Sequence, residues 1–201
     1  MKLLLLAPHP FYQERGTPIA VDLLIKALSE RGDEIELLTF HEGIDKVYQG
    51  VTIHRISPFI NISGIKPGFS VKKLVCDVFL FFKFISMMFK TRYDVVHAVE
   101  EAAFMAMLVC PLRGVPFIYD MDSSMTTQIV DKFPLLKNIQ GAIHFMESLP
   151  MRFAIAVVPM CDVLADDAKE QGAKNVVVLK DVSLIKPAEG DVKLIQVRDK
   201  I

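Results

Sequence analysis

Three short clusters of polar residues each follow an apolar run in this chain. His9, Gln13, Arg15, Gly16 and Thr17 come after the run Lys2 to Ala7. His97, Glu100 and Glu101 sit at the end of Asp94 to Val99, and Asp120, Asp122, Ser123 and Ser124 at the end of Pro116 to Met121. Together they supply histidines, carboxylates and hydroxyls. That set suits binding and polarising a polyhydroxylated substrate, through charge-assisted hydrogen bonds and one general base. Arg15-Gly16-Thr17 adds a second chemistry. A glycine lets backbone approach a ligand closely, and the free N–H groups of a following helix attract phosphate. A plain turn explains Gly16 equally well at this level. No GxGxxG and no GxxxxGK[ST] occurs, which removes the main support for NAD, flavin or P-loop nucleotide binding.

These residues converge only if the fold brings them together. Candidate strands are Lys2 to Ala7, Glu34 to Phe40, Val51 to Ile56, Asp94 to Val99, Pro116 to Met121, Ala154 to Pro159 and Asn175 to Leu179. Rich in Leu, Val and Ile on both faces, they read as strands of a parallel sheet covered on each side. Segments long enough for crossover helices separate most of them, so the fold class is α/β: a doubly wound, mostly parallel Rossmann-like sheet with helices on both faces. The link from Phe40 to Val51 is the exception, being too short for a helical crossover. In such a sheet ligands bind beyond the carboxyl ends of the strands, where strand order reverses, with the first, fourth and fifth strands side by side. Thr17 before Pro18 reads as a helix cap and first helical residue. Ile19, Leu23, Leu24, Ala27 and Leu28 then form the expected apolar stripe, and Gly32 the stop. The last helix is expected to run from a cap at Asp162 to Gly172.

Composition narrows the alternatives. The 201 residues, 52% apolar and 23% charged, suit one ordinary folded domain and exclude a disordered chain. Basic and acidic side chains number 23 and 24, so there is no overall basic field to recruit nucleic acid. Cys76, Cys110 and Cys161 are odd in number and far apart, without CxxC or Cys/His spacing. They read as reduced thiols of a cytoplasmic protein, with no metal site. The opening apolar run is broken by Pro8-His9-Pro10 before any cleavage site, so it is a buried strand rather than a signal peptide. The longest apolar stretch, Leu74 to Phe89, is interrupted by Asp77 and Lys83 and does not read as a membrane span.

At this point the motifs resemble the N-terminal, acceptor-side domain of family-four retaining glycosyltransferases of the GT-B fold. A first strand enters a glycine loop and the helix Ala20 to Gly32, then Asp33 to Thr39, with Asp33 where the family commonly has histidine. Asp94-Val95-Val96-His97-Ala98-Val99-Glu100-Glu101 is similar to the family's DVVHAHEP, and Glu147 to Gly172 resembles a third family segment. The likeness spans nearly the whole chain.

The resemblance implies one half of a GT-B architecture: residues 1–182 as a Rossmann-like domain and 183–201 as a hinge toward a second, donor-binding domain that this sequence lacks. It implies transfer of a sugar from a nucleotide-sugar donor to a hydroxyl of a glycan or lipid-linked acceptor with retention, without cofactor or obligatory metal, and inactivity of this half alone. Gly16 and Thr17 would lie against the donor diphosphate. His9, Arg15, His97, Glu100, Asp122 and Ser123 would contact the acceptor. Asp120 falls where many relatives place an acceptor-side histidine and would orient or deprotonate the hydroxyl; a loop-closing or helix-capping aspartate is the other reading. Glu34 and Glu42 match the family's E-x7-E spacing by chance, since they flank a strand of the first domain. A non-catalytic half-domain holding a glycan or a partner protein is the alternative function.

One segment suggests a further partner. Across Val71 to Arg92, Lys72, Lys73, Lys83 and Lys90 share one side of a helical wheel and Phe81, Phe82, Ile85 and Phe89 the other. A basic amphipathic helix can lie on an anionic membrane, which would place the protein at the inner membrane face. A crossover helix buried nearly all round is the competing expectation.

Overall fold

A computed structural model describes residues 1–58, 62–65, 68, 70–180 and 182. In chain order the elements are β1 (Lys2–Ala7), α1 (Gly16–Glu30), β2 (Glu34–Thr39), β3 (Val51–Arg55), α2 (Val71–Lys90), β4 (Val95–Val99), α3 (Ala102–Arg113), β5 (Phe117–Met121), α4 (Met125–Lys132), a 3-10 turn (Pro134–Ile139), α5 (Gln140–Phe153), β6 (Ala156–Pro159) and α6 (Asp162–Glu170). The strands form one parallel sheet in the order β3-β2-β1-β4-β5-β6. Order reverses between β1 and β4, so β1, β4 and β5 stand side by side.

Alternation along each strand divides the core in two. Leu3, Leu5 and Ala7 of β1 pack with Val95 and Val99 of β4 under Val21 and Ile25 of α1. Leu4 and Leu6 face the other way, toward residues of α2, α3, α5 and α6. Phe11, Phe40 and Phe84 are fully buried, each contributing on the order of 2 kcal/mol or more of apolar transfer.

Four local expectations need correction. α1 begins at Gly16, and Arg15 occupies the cap position without a side-chain bond; Pro18 fits the first turn, where its missing N–H has no partner to lose. The buried stripe of α1 is Pro18, Val21, Asp22 and Ile25. Asp22 reaches the interior because Tyr48, Lys26 and Lys46 all engage its carboxylate. In α6, Cys161 is at the cap position and Asp162 is the first helical residue. Finally, Asn175 to Leu179 is not a full strand: Val176 makes a single bridge to Val157, with backbone bonds from Val177 N and Leu179 N to Val157 O and Pro159 O, and Val177 and Leu179 are exposed. The expected hinge, residues 183–201, lies outside the described residues.

The helix-free link between β2 and β3 has its own partners. Tyr12 N donates to Ile44 O at 2.9 Å and Ile44 N to Tyr12 O at 3.0 Å, while Phe11 N donates to Glu42 O. The Arg55 guanidinium bonds the carbonyls of Phe40 and Glu42 and the carboxylate of Asp45. Gly43 has φ of +126°, and a Cβ there would sit 2.1 Å from the Phe11 carbonyl oxygen. Both facts require glycine.

Candidate functional site

A crevice of about 590 Å³ opens at the carboxyl edge of β1, β4 and β5. Its walls come from the β1–α1 loop, the start of α2, the β4–α3 junction and the β5–α4 region. His9, Arg15, Gly16, Thr17, Glu100, Asp122 and Ser123 all line it, so seven of the expected site residues share one space.

His9 is buried at the crevice wall and fixed through its backbone. Its N bonds Ala7 O, and its carbonyl accepts from Thr39 Oγ1 at 2.6 Å. The Nδ1–H group donates to Pro10 O at 3.1 Å, and Nε2 is buried with no protein partner. Burial lowers the imidazole to about 4. The ring is therefore neutral near pH 7, with an Nε2 lone pair available as an acceptor.

Glu100 is held in the left-handed region, φ +52°, which costs a non-glycine residue roughly 1 kcal/mol or more. Its N donates to Asp120 O at 2.9 Å, so register with β5 sets the position. Ser123 Oγ donates to its carboxylate, at 2.9 and 3.0 Å from the two oxygens, and Gln128 Nε2 donates to that hydroxyl. Burial first, and then the negative charge of Asp122, raise its carboxyl to about 7. A strained backbone and a carboxyl poised near neutrality are both common at reactive sites.

Across the crevice, α2 contributes a pair: Asp77, expected only as a break in an apolar stretch, and Lys73, expected on the basic side of the helical wheel. Lys73 contacts the Glu101 carboxylate and lies 3.9 Å from Asp77 Oδ2. Burial raises the Asp77 carboxyl to about 6, opposed by Lys73, and burial likewise lowers the Lys73 ammonium. Two charges four residues apart in a helix otherwise apolar at that turn were the available signal.

His97 and Asp120 are placed differently from expectation. His97 lies inside β4, between Val95 and Val99, and is buried. Asp120 lies inside β5, with Ile118 two residues before it packed in the α1-side core. His97 Nε2 is 2.8 Å from Asp120 Oδ2, and neither residue lines the crevice. Ser124 is turned to a structural task, capping α4 and donating to Glu147. Gly16 does line the crevice. Its φ is not positive, and a Cβ built there meets nothing within 4 Å. Neither the backbone nor the packing of this chain requires glycine, which counts against a mere turn. Among the described residues no group of three or more His, Cys, Asp or Glu side chains is arranged to hold a metal ion.

No protein-family model matches the chain, and no curated protein sequence matches it. Solved structures do. Sucrose-phosphate synthase from Thermosynechococcus elongatus superposes with a TM-score of 0.66 at 12% identity, over 89% of this chain and 47% of its own. Anabaena HepE in complex with UDP-glucose gives 0.54 at 16% identity, over 90% and 43%. Phytolacca americana UGT2, complexed with UDP-2-fluoro-glucose and pterostilbene, gives 0.57 at 10% identity, over 89% and 53%. The fold is one half of the GT-B architecture. This GT-B half-domain spans about half the length of each of those three glycosyltransferase chains. At these identities the likeness is one of fold.

The outer surface of the half-domain carries one more feature near the crevice. α2 buries Cys76, Leu80, Phe84, Met87 and Met88, yet its opposite side exposes Val71, Leu74, Val78, Phe82 and Phe89. Of the expected apolar side only Phe82 and Phe89 are exposed, since Phe81 and Ile85 pack against the core. Of the expected basic side, Lys73 faces the crevice and Lys83 donates to Arg55 O; a helix buried nearly all round is not found either. No helix among the described residues is long and apolar enough to cross a membrane.

Proposed function

We propose that this half-domain binds the acceptor in a retaining glycosyltransferase whose donor domain lies on another segment or chain. The convergence of His9 Nε2 and the Glu100 carboxyl in one crevice, beside the N-terminus of α1, carries this reading. His9 Nε2 accepts a hydrogen bond from an acceptor hydroxyl. Glu100, ionised at and above about pH 7, orients that hydroxyl and takes its proton. This is the role the sequence suggested for Asp120, which here holds His97 instead. Arg15 and the free N–H groups at the start of α1 face the donor's diphosphate, with Gly16 leaving room for it. The bond from the anomeric carbon to phosphate breaks as the bond to the acceptor oxygen forms. Retention of configuration is the outcome that the family-four resemblance implies.

Such transfer needs both substrates held together, because orientation supplies much of the rate and closure excludes water that would hydrolyse the donor. The 201-residue chain is expected to show no turnover with a panel of sugar nucleotides. Joined to a donor domain it is expected to transfer sugar. Gly16→Ala then leaves the melting temperature within about 2 °C while lowering transfer at least tenfold. Robust turnover by the short chain would overturn the half-enzyme reading. Silence from the joined protein would favour a non-catalytic glycan-binding half-domain.

The exposed side of α2 supports a peripheral membrane contact within the same reading. Lys72 and Lys90 border its apolar stripe, Arg113 stacks over Phe89 at 5.2 Å, and the single acid of α2, Asp77, points into the crevice. A second copy docked on this face by two-fold symmetry would bring its own basic border against the first. An anionic lipid surface has the complementary charge. The protein should co-sediment with phosphatidylglycerol vesicles at low salt and not with phosphatidylcholine vesicles, and Phe82→Asp should abolish binding. Equal binding to both lipids, or none, removes the contact.

A further inference from the structure

Two residues of the crevice wall carry buried acceptor atoms without partners. His9 is 8% exposed, and its Nε2 holds a free lone pair because Nδ1–H is spent on Pro10 O. On α2, Asp77 Oδ1 is likewise buried with no partner. Lys73 Nζ stands 3.9 Å from the other oxygen of Asp77, beyond hydrogen-bond reach, and makes its close contact with Glu101. The charge of Lys73 acts on His9 and on Asp77 alike, so both share its neighbourhood. Buried acceptors in this position call for a ligand that brings donors.

Charge narrows the ligand further. Among the described residues the wall carries four carboxyls, Asp77, Glu100, Glu101 and Asp122, against two cations, Arg15 and Lys73. Lys73 is engaged by Glu101, and Arg15 precedes α1, on the side proposed for the diphosphate. The rest of the wall is acidic. Burial raises Asp77 to about 6 and Glu100 to about 7, and a cation beside them favours their ionised forms. Among the described residues these carboxyls are not grouped as a metal ion requires. An ammonium group brings three N–H donors and a positive charge, with no acceptor of its own to satisfy.

We infer that the crevice selects an amine-bearing polyol, whose ammonium group donates to Asp77 while a hydroxyl of the same molecule donates to His9 Nε2. The inference rests on the glycosyltransferase reading for calling this molecule the acceptor; the choice of an amine rests on the crevice wall alone. Asp77 is then the residue that sets specificity. The ammonium nitrogen has no lone pair to attack with, so the hydroxyl remains the nucleophile. A neutral sugar donates at most a hydroxyl bond to Asp77 and leaves its charge unmatched, and hydrogen bonds between ionised partners are the stronger kind.

Titration calorimetry on the 201-residue chain at low salt tests this with glucosamine, galactosamine and mannosamine, each against its N-acetyl counterpart. At least one amine should bind about tenfold more tightly than its neutral form. Asp77→Asn should bring that ratio down to about two or less. The substitution keeps the side chain's shape and removes a charge that burial disfavours, so the fold is retained, which thermal melting checks. Asp166→Asn, an exposed acid on α6, should leave the ratio unchanged. No preference for any of the amines overturns the inference, and so does a preference that survives Asp77→Asn. Loss of the preference in Asp166→Asn would make it a property of the overall charge and also overturn it. The glycosyltransferase reading fails separately, through absence of transfer by the joined protein while the amine preference persists.

Discussion

Replacing Glu100 with glutamine is expected to stabilise the protein at pH 8 by about 2 kcal/mol and to change little at pH 4. The carboxyl is raised from its ordinary 4.5 to about 7, chiefly by burial. Between those values the unfolded chain has released its proton and the native chain keeps it, so native stability falls as pH rises through this window. Above about 7 the native state carries the full penalty, an upper bound of about 3 kcal/mol for a shift of this size. Loss of one acceptor for the Ser123 hydroxyl offsets roughly 1 kcal/mol of the gain. His9 acts with the opposite sign: lowered to about 4, it makes stability rise with pH between about 4 and 6.5. It is unchanged in the variant and cancels from the difference. Thermal melts at pH 4 and pH 8 measure the effect, as a gain of about 4–8 °C at the higher pH only. In the joined protein the same change should lower transfer by about 10²-fold or more and flatten a rate profile that otherwise rises through about pH 7. Equal stability at both pH values would show that the carboxyl is not the strained group. Retained transfer would move the proton role elsewhere.

Glu147→Ala should produce the largest loss of stability. Its side chain is fully buried. The carboxylate accepts from Met125 N at 2.6 Å, Thr126 N at 3.2 Å, Thr126 Oγ1 and Ser124 Oγ, so one anion satisfies the start of α4. Negative charge at a helix N-terminus adds a favourable dipole interaction. Truncation leaves those donors unpaired inside the protein, at a cost of about 4 kcal/mol. The melting temperature should fall by roughly 10 °C. Glu147→Gln keeps one acceptor oxygen and should lose about half as much. Since α4 carries Gln128 and Ile129 into the crevice, ligand binding should weaken along with stability. A change under 2 °C for Glu147→Ala would refute the anchoring role.

Much of this arrangement was legible because it depends on period and order. Apolar runs alternating with helical stretches are enough to place β1, β4 and β5 together and to bring His9, Gly16 and Glu100 to one edge. Which carboxylate faces the crevice was not legible. Asp120 and Glu100 are both near strand ends, and a shift of one residue along a strand exchanges the two faces. Only the β4–β5 pairing, with Val99 opposite Asp120, turns Asp120 toward His97. The stripe of α1 was misread for a similar reason: Tyr48 and Lys46, distant in sequence, neutralise Asp22 and let it enter the interior. Lys73 and Asp77 were visible as charges in an apolar helix, but nothing in the chain order said which space they would face.

The interlock between the β1–α1 loop and the β2–β3 link bears on how the crevice responds to a ligand. Reciprocal amide bonds between Tyr12 and Ile44, with Gly43 pressed against the Phe11 carbonyl, join the loop carrying His9 and Gly16 to the sheet. A loop secured in this way has little freedom left to lose when substrate arrives, so little of the binding free energy goes into ordering it. This wall of the crevice is then expected to keep the same conformation with and without a bound ligand. The amides of Tyr12 and Ile44 should accordingly exchange with solvent at the slow pace of β1 rather than at the pace of a surface loop.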